Sequence, residues 1–255
     1  MKYTYGTSDL AAERLRDISQ FFNVHASRLI GEFCTDEVAT AIDLGCGPGY
    51  TTDMLAGATR CTNTYGLDTS DHFLSMAREC FPRYEFLKHD VTQVPFPISA
   101  QVIYARFILA HLPDAESMVN KWADELADGG MLFLEEAEAT ETDVGVFKEY
   151  LDINEGLVAS QGAELFVGKK LAGIHVSHRL VLNDSVFLPV PNWQAAAWFY
   201  PNTITIWEEA TYIKERLSKQ RRAEISQQIR EIRDRKEDKS NITWRMRRVV
   251  IKKEE

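Results

Sequence analysis

The chain has 255 residues, of which 45% are hydrophobic, a formal net charge of -9 and four cysteines. That length and apolar content suit one α/β domain with insertions, large enough to fold without disulfide staples. The acidic balance disfavours a generic nucleic-acid binder, and Cys34, Cys46, Cys61 and Cys80 form no C-x-x-C pair, which argues against a zinc site and against a disulfide framework; no metal is expected.

In chain order, the opening MKYTYGTSDLAAERL has no apolar signal core, and no later run reaches the roughly 20 apolar residues that cross a bilayer. A cytoplasmic protein with no membrane partner is predicted. Tyr3 and Tyr5 belong either to an N-terminal flap or to a frayed end. Residues 9–33 carry Leu10, Leu15, Ile18, Phe21, Phe22, Leu29 and Ile30 at helical spacing, which predicts one or two helices ahead of a sheet. A first strand over 41–44 runs into a helix over 51–58, ended by Gly57. A second strand, 62–68, closes on Asp68, and Ser70 caps a helix over 71–80. A third, RYEFLKHD, closes on Asp90, and a fourth covers 101–107. Asp114 caps a helix with Met118, Val119, Trp122 and Leu126 on one face; Gly129-Gly130 ends it, and MLFLEE (131–136) makes a fifth strand.

Strand and helix alternate to residue 136, the pattern of a doubly wound parallel sheet. Beyond it, 143–172 reads as helical, 179–189 as a sixth strand, 193–239 as helical and increasingly charged, and 241–252 as a last strand. The predicted organisation is one domain: N-terminal helices (1–36), a ligand-binding core (37–136), lid or substrate insertions (140–178 and 190–239) and a closing strand (240–255).

The run AIDLGCGPGYTT carries most of the chemistry. Gly45, Gly47 and Gly49 let backbone approach a ligand above a strand end, with the small Cys46 between them. A dinucleotide turn, G-x-G-x-x-G, needs a third glycine where Tyr50 stands, and Asp43 would be a poor neighbour for a pyrophosphate but a good one for an ammonium group. Asp68, about twenty residues on, has the placement of an acid that accepts from ribose hydroxyls. Asp90 could meet the exocyclic amine of adenine, with Thr69 and Val91 packing on the two faces of the base. Three acids at three successive strand ends describe a phosphate-free, cationic nucleoside, and S-adenosylmethionine has those groups.

Across residues 38–136 the chain resembles the class I S-adenosylmethionine-dependent methyltransferases: AIDLGCGPGY is similar to their first motif, TYGLDTSDHFLSMAR to the second, FLKHDVTQVPFP to the third, VIYARFILAHLPD to the fourth and DGGMLFLEE to the fifth. The resemblance implies a Rossmann-like, mostly parallel seven-stranded sheet with helical lid insertions. It implies that Asp43, Gly45 and Gly47 hold the methionine end, Asp68 the ribose, Asp90 with Val91 the adenine, and that Arg106 lies near the cofactor or the substrate mouth. Its members of this form act on small molecules, with S-adenosylhomocysteine as product. One departure stands out. The family commonly closes its sheet with a tight hairpin, whereas roughly fifty residues separate the last two predicted strands here.

Methyl transfer from a sulfonium needs alignment more than acid–base help, and a base only for a weakly acidic acceptor. His111, just past the fourth strand, is the candidate base, or else a core histidine bonded to backbone. Glu135 and Glu136 either face the same cleft or are solvated loop acids. His175 and His178 are lid or surface residues. Trp193, Trp198 and Tyr200, in the aromatic stretch NWQAAAWFYPNTITIW, either shape a substrate pocket or anchor the insertion. The basic stretch 214–239 reads as a solvated helix, or as a docking face for an acidic carrier protein or for a second subunit in a homodimer. The expected activity is methylation of a small organic molecule at an oxygen, hydroxyl or carboxylate. A C- or N-methyltransferase of a natural-product pathway, a nicotinamide-dependent oxidoreductase and a non-catalytic cofactor-binding accessory protein stay open beside it.

Overall fold

The computed structural model describes residues 4–237 and 239–254; Tyr3 lies outside them. A single long helix α1 (Asp9–Phe33) opens the fold, its N-terminus capped by the Ser8 hydroxyl, which accepts the Ala11 N–H at 3.3 Å. There follow β1 (Thr40–Leu44), α2 (Tyr50–Thr59), β2 (Asn63–Asp68), α3 (Asp71–Cys80), β3 (Glu85–Lys88) and β4 (Ala100–Arg106). After a 3-10 turn (Leu109–His111) come α4 (Ala115–Asp124), β5 (Leu126–Thr142), α5 (Gly145–Ser160), α6 (Gly168–Leu171) and β6 (Arg179–Val190). Four helices, α7 (Asn192–Ile204), α8 (Ile206–Glu209), α9 (Thr211–Arg216) and α10 (Lys219–Arg235), precede β7 (Ile242–Lys252).

The seven strands form one sheet in the order β3-β2-β1-β4-β5-β7-β6. The first five run parallel, and β7 inserts antiparallel between β5 and β6, so this is the mostly parallel Rossmann-like sheet expected. Strand order reverses between β1 and β4, and the crevice at that reversal is where open α/β sheets bind ligands.

Several element boundaries differ from expectation, and β3 ends at Lys88, two residues short of the expected Asp90. Helix α2 runs past Gly57 to Thr59, where Arg60 takes the left-handed conformation (φ 56°) and its N–H closes on the Ala56 carbonyl. Helix α4 ends at Asp124, and Leu126, Gly129 and Gly130 all lie in β5. Gly130 is there because a Cβ would stand 2.8 Å from the carbonyl oxygens of Ala127 and Gln101. Strand β5 itself does not stop at Glu136 but continues to Thr142, because β7 pairs with it as far as Thr142 opposite Ile242.

One core cluster fills the space between the parallel strands and α4, where the fully buried Trp122 donates its indole N–H to the Val91 carbonyl at 2.8 Å. A second is aromatic: Phe22 of α1, Tyr150 of α5 and Trp198 and Phe199 of α7 gather with Trp207 over the far ends of β5 and β7. No described helix is long and apolar enough to cross a membrane.

Candidate functional site

The glycine turn after β1 is built by backbone conformations that side chains resist. Gly45, Gly47 and Gly49 have φ of 67°, 51° and 89°, and a Cβ on Gly45 would meet Ile108 Cδ1 at 2.5 Å. Asp43 stands behind this turn, not on the cleft wall. It is 1% exposed, and its Oδ2 accepts from the Thr51 hydroxyl at 2.6 Å and the Thr52 hydroxyl at 2.7 Å. Burial pushes its carboxyl up to about 6, against the two hydroxyls and Arg106, which pull it down. The acid expected to touch an ammonium group braces the first turn of α2 instead. Gly49 also stays off the wall, packed under Phe81 and Phe86.

The other cofactor candidates meet around one cleft of about 480 Å³: Gly45, Cys46, Gly47, Asp68, Thr69, Asp90, Val91 and Arg106 all border it. Asp68 accepts the Gly47 N–H at 2.9 Å through Oδ2 and the Ser70 N–H at 2.8 Å through Oδ1, so it holds the glycine turn while facing the cleft. Burial raises its carboxyl despite those bonds. Asp90 is held low by the Thr92 N–H and hydroxyl, both bonded to Oδ1. Burial raises the Cys46 thiol well above its ordinary value, so it is a packing group and not a nucleophile.

Arg106, at the end of β4, is 8% exposed. Its Nη2 donates to Asn23 Oδ1 at 2.8 Å and lies 3.4 Å from Ser19 Oγ, and its guanidinium sits 5.8 Å from the ring centres of Phe22 and Phe107. Its Nη1 is buried with no hydrogen-bond partner. Ser19 and Asn23 escaped sequence reasoning; the signal was a polar pair at i, i+4 inside the apolar stripe of α1.

His111 sits in the turn after β4, where burial and the Arg14 charge lower its imidazole to about 4. Its ring is therefore neutral at physiological pH. Glu136 fixes that turn: its Oε1 accepts the N–H groups of Ile108 and Leu109, each at 2.8 Å. Burial lifts Glu136 to about 8, while Glu135, also raised by burial, accepts from the Tyr104 hydroxyl at 2.7 Å. Neither glutamate faces the cleft and neither is solvated, because both lie mid-strand in a covered β5. His175 and His178 lie on the surface, His178 against Asp124 at 2.9 Å.

A second, smaller chamber of about 120 Å³ adjoins the cleft, and Leu15, Ile18, Phe107 and His111 border both. Trp198 lines this chamber; Trp193 and Tyr200 do not. They lie about 140° and 200° around α7 from Trp198, at about 100° per residue, and turn instead to Lys236 and Arg233 of the α10 side. Trp244 of β7 and Tyr150 of α5 line the chamber without having been expected there. Their sequence neighbourhoods read only as a strand and a helix.

Residues 42–134 match the family described as "Methyltransferase domain". A trans-aconitate 2-methyltransferase of Variovorax paradoxus (strain S110) is 34% identical over 111 residues, covering 43% of each chain. One from Azoarcus sp. (strain BH72) is 29% identical over 110 residues, 43% of this chain and 44% of that one. The chain therefore spans less than half the length of these curated relatives. Among solved structures, a coclaurine N-methyltransferase bound to N-methylheliamine and SAH aligns with a TM-score of 0.56 at 15% identity, over 91% of this chain and 72% of that one. The YcgJ protein of Bacillus subtilis aligns with a TM-score of 0.54 at 14% identity, over 91% of this chain and 99% of that one. At such identities the likeness is one of fold.

Proposed function

We propose that this chain, which matches a methyltransferase-domain family over residues 42–134, is an S-adenosylmethionine-dependent enzyme that methylates a small organic molecule at an oxygen, with that molecule seated in the chamber beside His111. The observation that carries the reading is the charge of the cleft. Beneath a glycine turn its described wall offers Asp68 and Asp90, with Asp71 paired to Lys88, against one guanidinium, Arg106. That set repels a pyrophosphate and suits a cationic nucleoside.

The residues fit the carboxylate, the ribose and the adenine of S-adenosylmethionine. The buried, unpartnered Nη1 of Arg106 suits the carboxylate of the amino-acid end, since an orphaned charged donor is costly until an anion meets it. Asp68 retains lone pairs for ribose hydroxyls, and Asp90 beside Val91 suits the adenine edge. The bound cofactor supplies an electrophilic methyl group on a sulfonium. The chain's own part is to align the acceptor through the shared wall and to exclude water with its aromatic lining. His111 contacts the acceptor where the two spaces meet. With an imidazole titrating near 4 it is a weak proton acceptor, which suits an acceptor that arrives already ionised. Relatives named for trans-aconitate, a carboxylic acid, favour a carboxylate oxygen. The four free thiols suit the cytoplasm.

Titration calorimetry tests the cofactor half directly. Binding of S-adenosylhomocysteine with no heat from NAD is the expected result; uptake of NAD in its place would overturn the reading. Transfer of label from methyl-labelled S-adenosylmethionine to an organic-soluble product tests the activity.

A further inference from the structure

The chamber has a polarity that cofactor binding does not use. Among its described lining residues there is one guanidinium, Arg14, and no lysine, aspartate or glutamate. Arg14 is held in place: its Nε donates to the Trp198 carbonyl at 2.9 Å, and its guanidinium lies 4.8 Å over the Tyr5 ring. Tyr5 in turn meets His111 edge-on, with ring centres 6.3 Å apart, and the Arg14 charge acts on His111, which borders both chamber and cleft. Aromatic rings make up half of the rest of the described wall, with aliphatic side chains such as Leu15, Ile18 and Leu165 between them. Phe22 packs on Phe107 at 5.2 Å and on Trp198 at 5.6 Å, and Trp198 on Trp244 at 5.4 Å. Neutral polar groups interrupt it, among them the Asn154 amide and two buried atoms. Trp198 is 2% exposed, and its Nε1 is buried with no hydrogen-bond partner; so is Oγ1 of Thr140, which lies opposite Trp244 in the β5–β7 pairing. Native interiors seldom leave such groups unpaired, and both border this chamber.

Resting on the function proposed above, we infer that the methyl acceptor is a monocarboxylic acid with a flat, apolar body and a second, uncharged oxygen. Its carboxylate sits by Arg14 and His111, its body stacks among Phe22, Trp198 and Phe199, and its neutral oxygen meets Trp198 Nε1 and Thr140 Oγ1. The step is ester formation. A carboxylate oxygen lone pair forms the new C–O bond to the methyl carbon of S-adenosylmethionine. The C–S bond breaks, its electron pair stays on sulfur, and no proton is released. A tricarboxylate would bring two further negative charges against a described wall that carries one guanidinium, and buried unpaired charge is strongly unfavourable.

The test is a panel with S-adenosylmethionine and mass-spectrometric detection: 4-hydroxycinnamate, cinnamate, 4-hydroxycinnamyl alcohol and trans-aconitate. Expected is a methyl ester of 4-hydroxycinnamate with the highest kcat/KM, about tenfold less for cinnamate, and about a hundredfold less for the alcohol and the tricarboxylate. Arg14→Gln should raise KM for the monocarboxylates about ten- to a hundredfold at unchanged S-adenosylhomocysteine affinity, with Arg14→Lys restoring part of the loss. Trp198→Phe, which keeps the ring packing, should remove the preference for the hydroxylated acid. Preference for trans-aconitate, equal methylation of the alcohol, or no ester from any acid would overturn the inference. Calorimetry on the same preparation separates the two readings: S-adenosylhomocysteine binding without ester sinks this inference alone, whereas its failure to bind sinks the cofactor assignment beneath it.

Discussion

Arg106 and Asn23 are joined across the fold, Nη2 of the strand-end arginine donating to Oδ1 of the α1 asparagine at 2.8 Å. The same asparagine donates through Nδ2 to the Tyr50 carbonyl at 3.0 Å, so one amide ties the start of α2 to the end of β4. Helix α1 is thereby part of the cleft.

Asn23→Ala removes both ties and leaves Arg106 Nη2 with Ser19 alone. Loss of a hydrogen bond to a charged group costs about 1.5–3 kcal/mol, and we expect that loss in chemical denaturation. Arg106→Lys keeps the charge but not the fork. It should weaken S-adenosylmethionine binding about tenfold in calorimetry, with a smaller effect on an analogue lacking the carboxylate. Equal weakening of both ligands would remove Arg106 from the carboxylate contact.

Asp43 separates bracing from ligand contact. Asp43→Ala strands the Thr51 and Thr52 hydroxyls, the second fully buried, and should cost about 2–4 kcal/mol in urea unfolding. Asp43→Asn can still accept both hydroxyls and should cost less than half as much. A calorimetric loss of cofactor affinity in a fully folded Asp43→Asn protein would restore the direct contact that the geometry denies.

Glu136 sets a pH dependence of stability. Its carboxyl is raised to about 8 in the fold from about 4.5 in the open chain, so between those values the folded state binds the extra proton. Its contribution is intact below about 4.5 and is lost as pH rises through about 8. Glu136→Gln keeps the acceptor for Ile108 and Leu109 without titrating. Melting curves of the two proteins should coincide near pH 5 and part by several degrees near pH 9, with the variant higher, at about 2–4 °C per kcal/mol. Parallel curves across that range would show that Glu136 does not titrate there.

Gly45→Ala tests the turn. The new methyl meets Ile108 Cδ1 at 2.5 Å on a backbone at φ 67°, so both strain and displacement of a cleft residue follow. We expect a loss of about 1–3 kcal/mol in thermal or chemical denaturation and a weaker cofactor site in calorimetry.

Much of the parallel half is legible in sequence because its signals are local. Ser70 and Asp114 do cap α3 and α4, accepting the N–H groups of Phe73 and Ser117, and Asp68 and Asp90 do stand at one edge of the sheet. What escapes is whatever depends on a distant partner. The polar-looking AEATET after Glu136 is strand because β7, a hundred residues later, lies beside it. Glu135 and Glu136 are buried because neighbouring elements cover them, which no strand-end rule reveals. Trp193, Trp198 and Tyr200 cluster in sequence, but the turn of α7 sends them to different places.

The insertion of β7 between β5 and β6 also orders assembly in time. Strand β6 leaves the ribosome with no sheet neighbour and must wait through four helices for the one strand that joins it to the rest. Pairings of such wide sequence separation form slowly. Trp244 arrives with that strand, so the chamber it lines is among the last features a newly made chain completes.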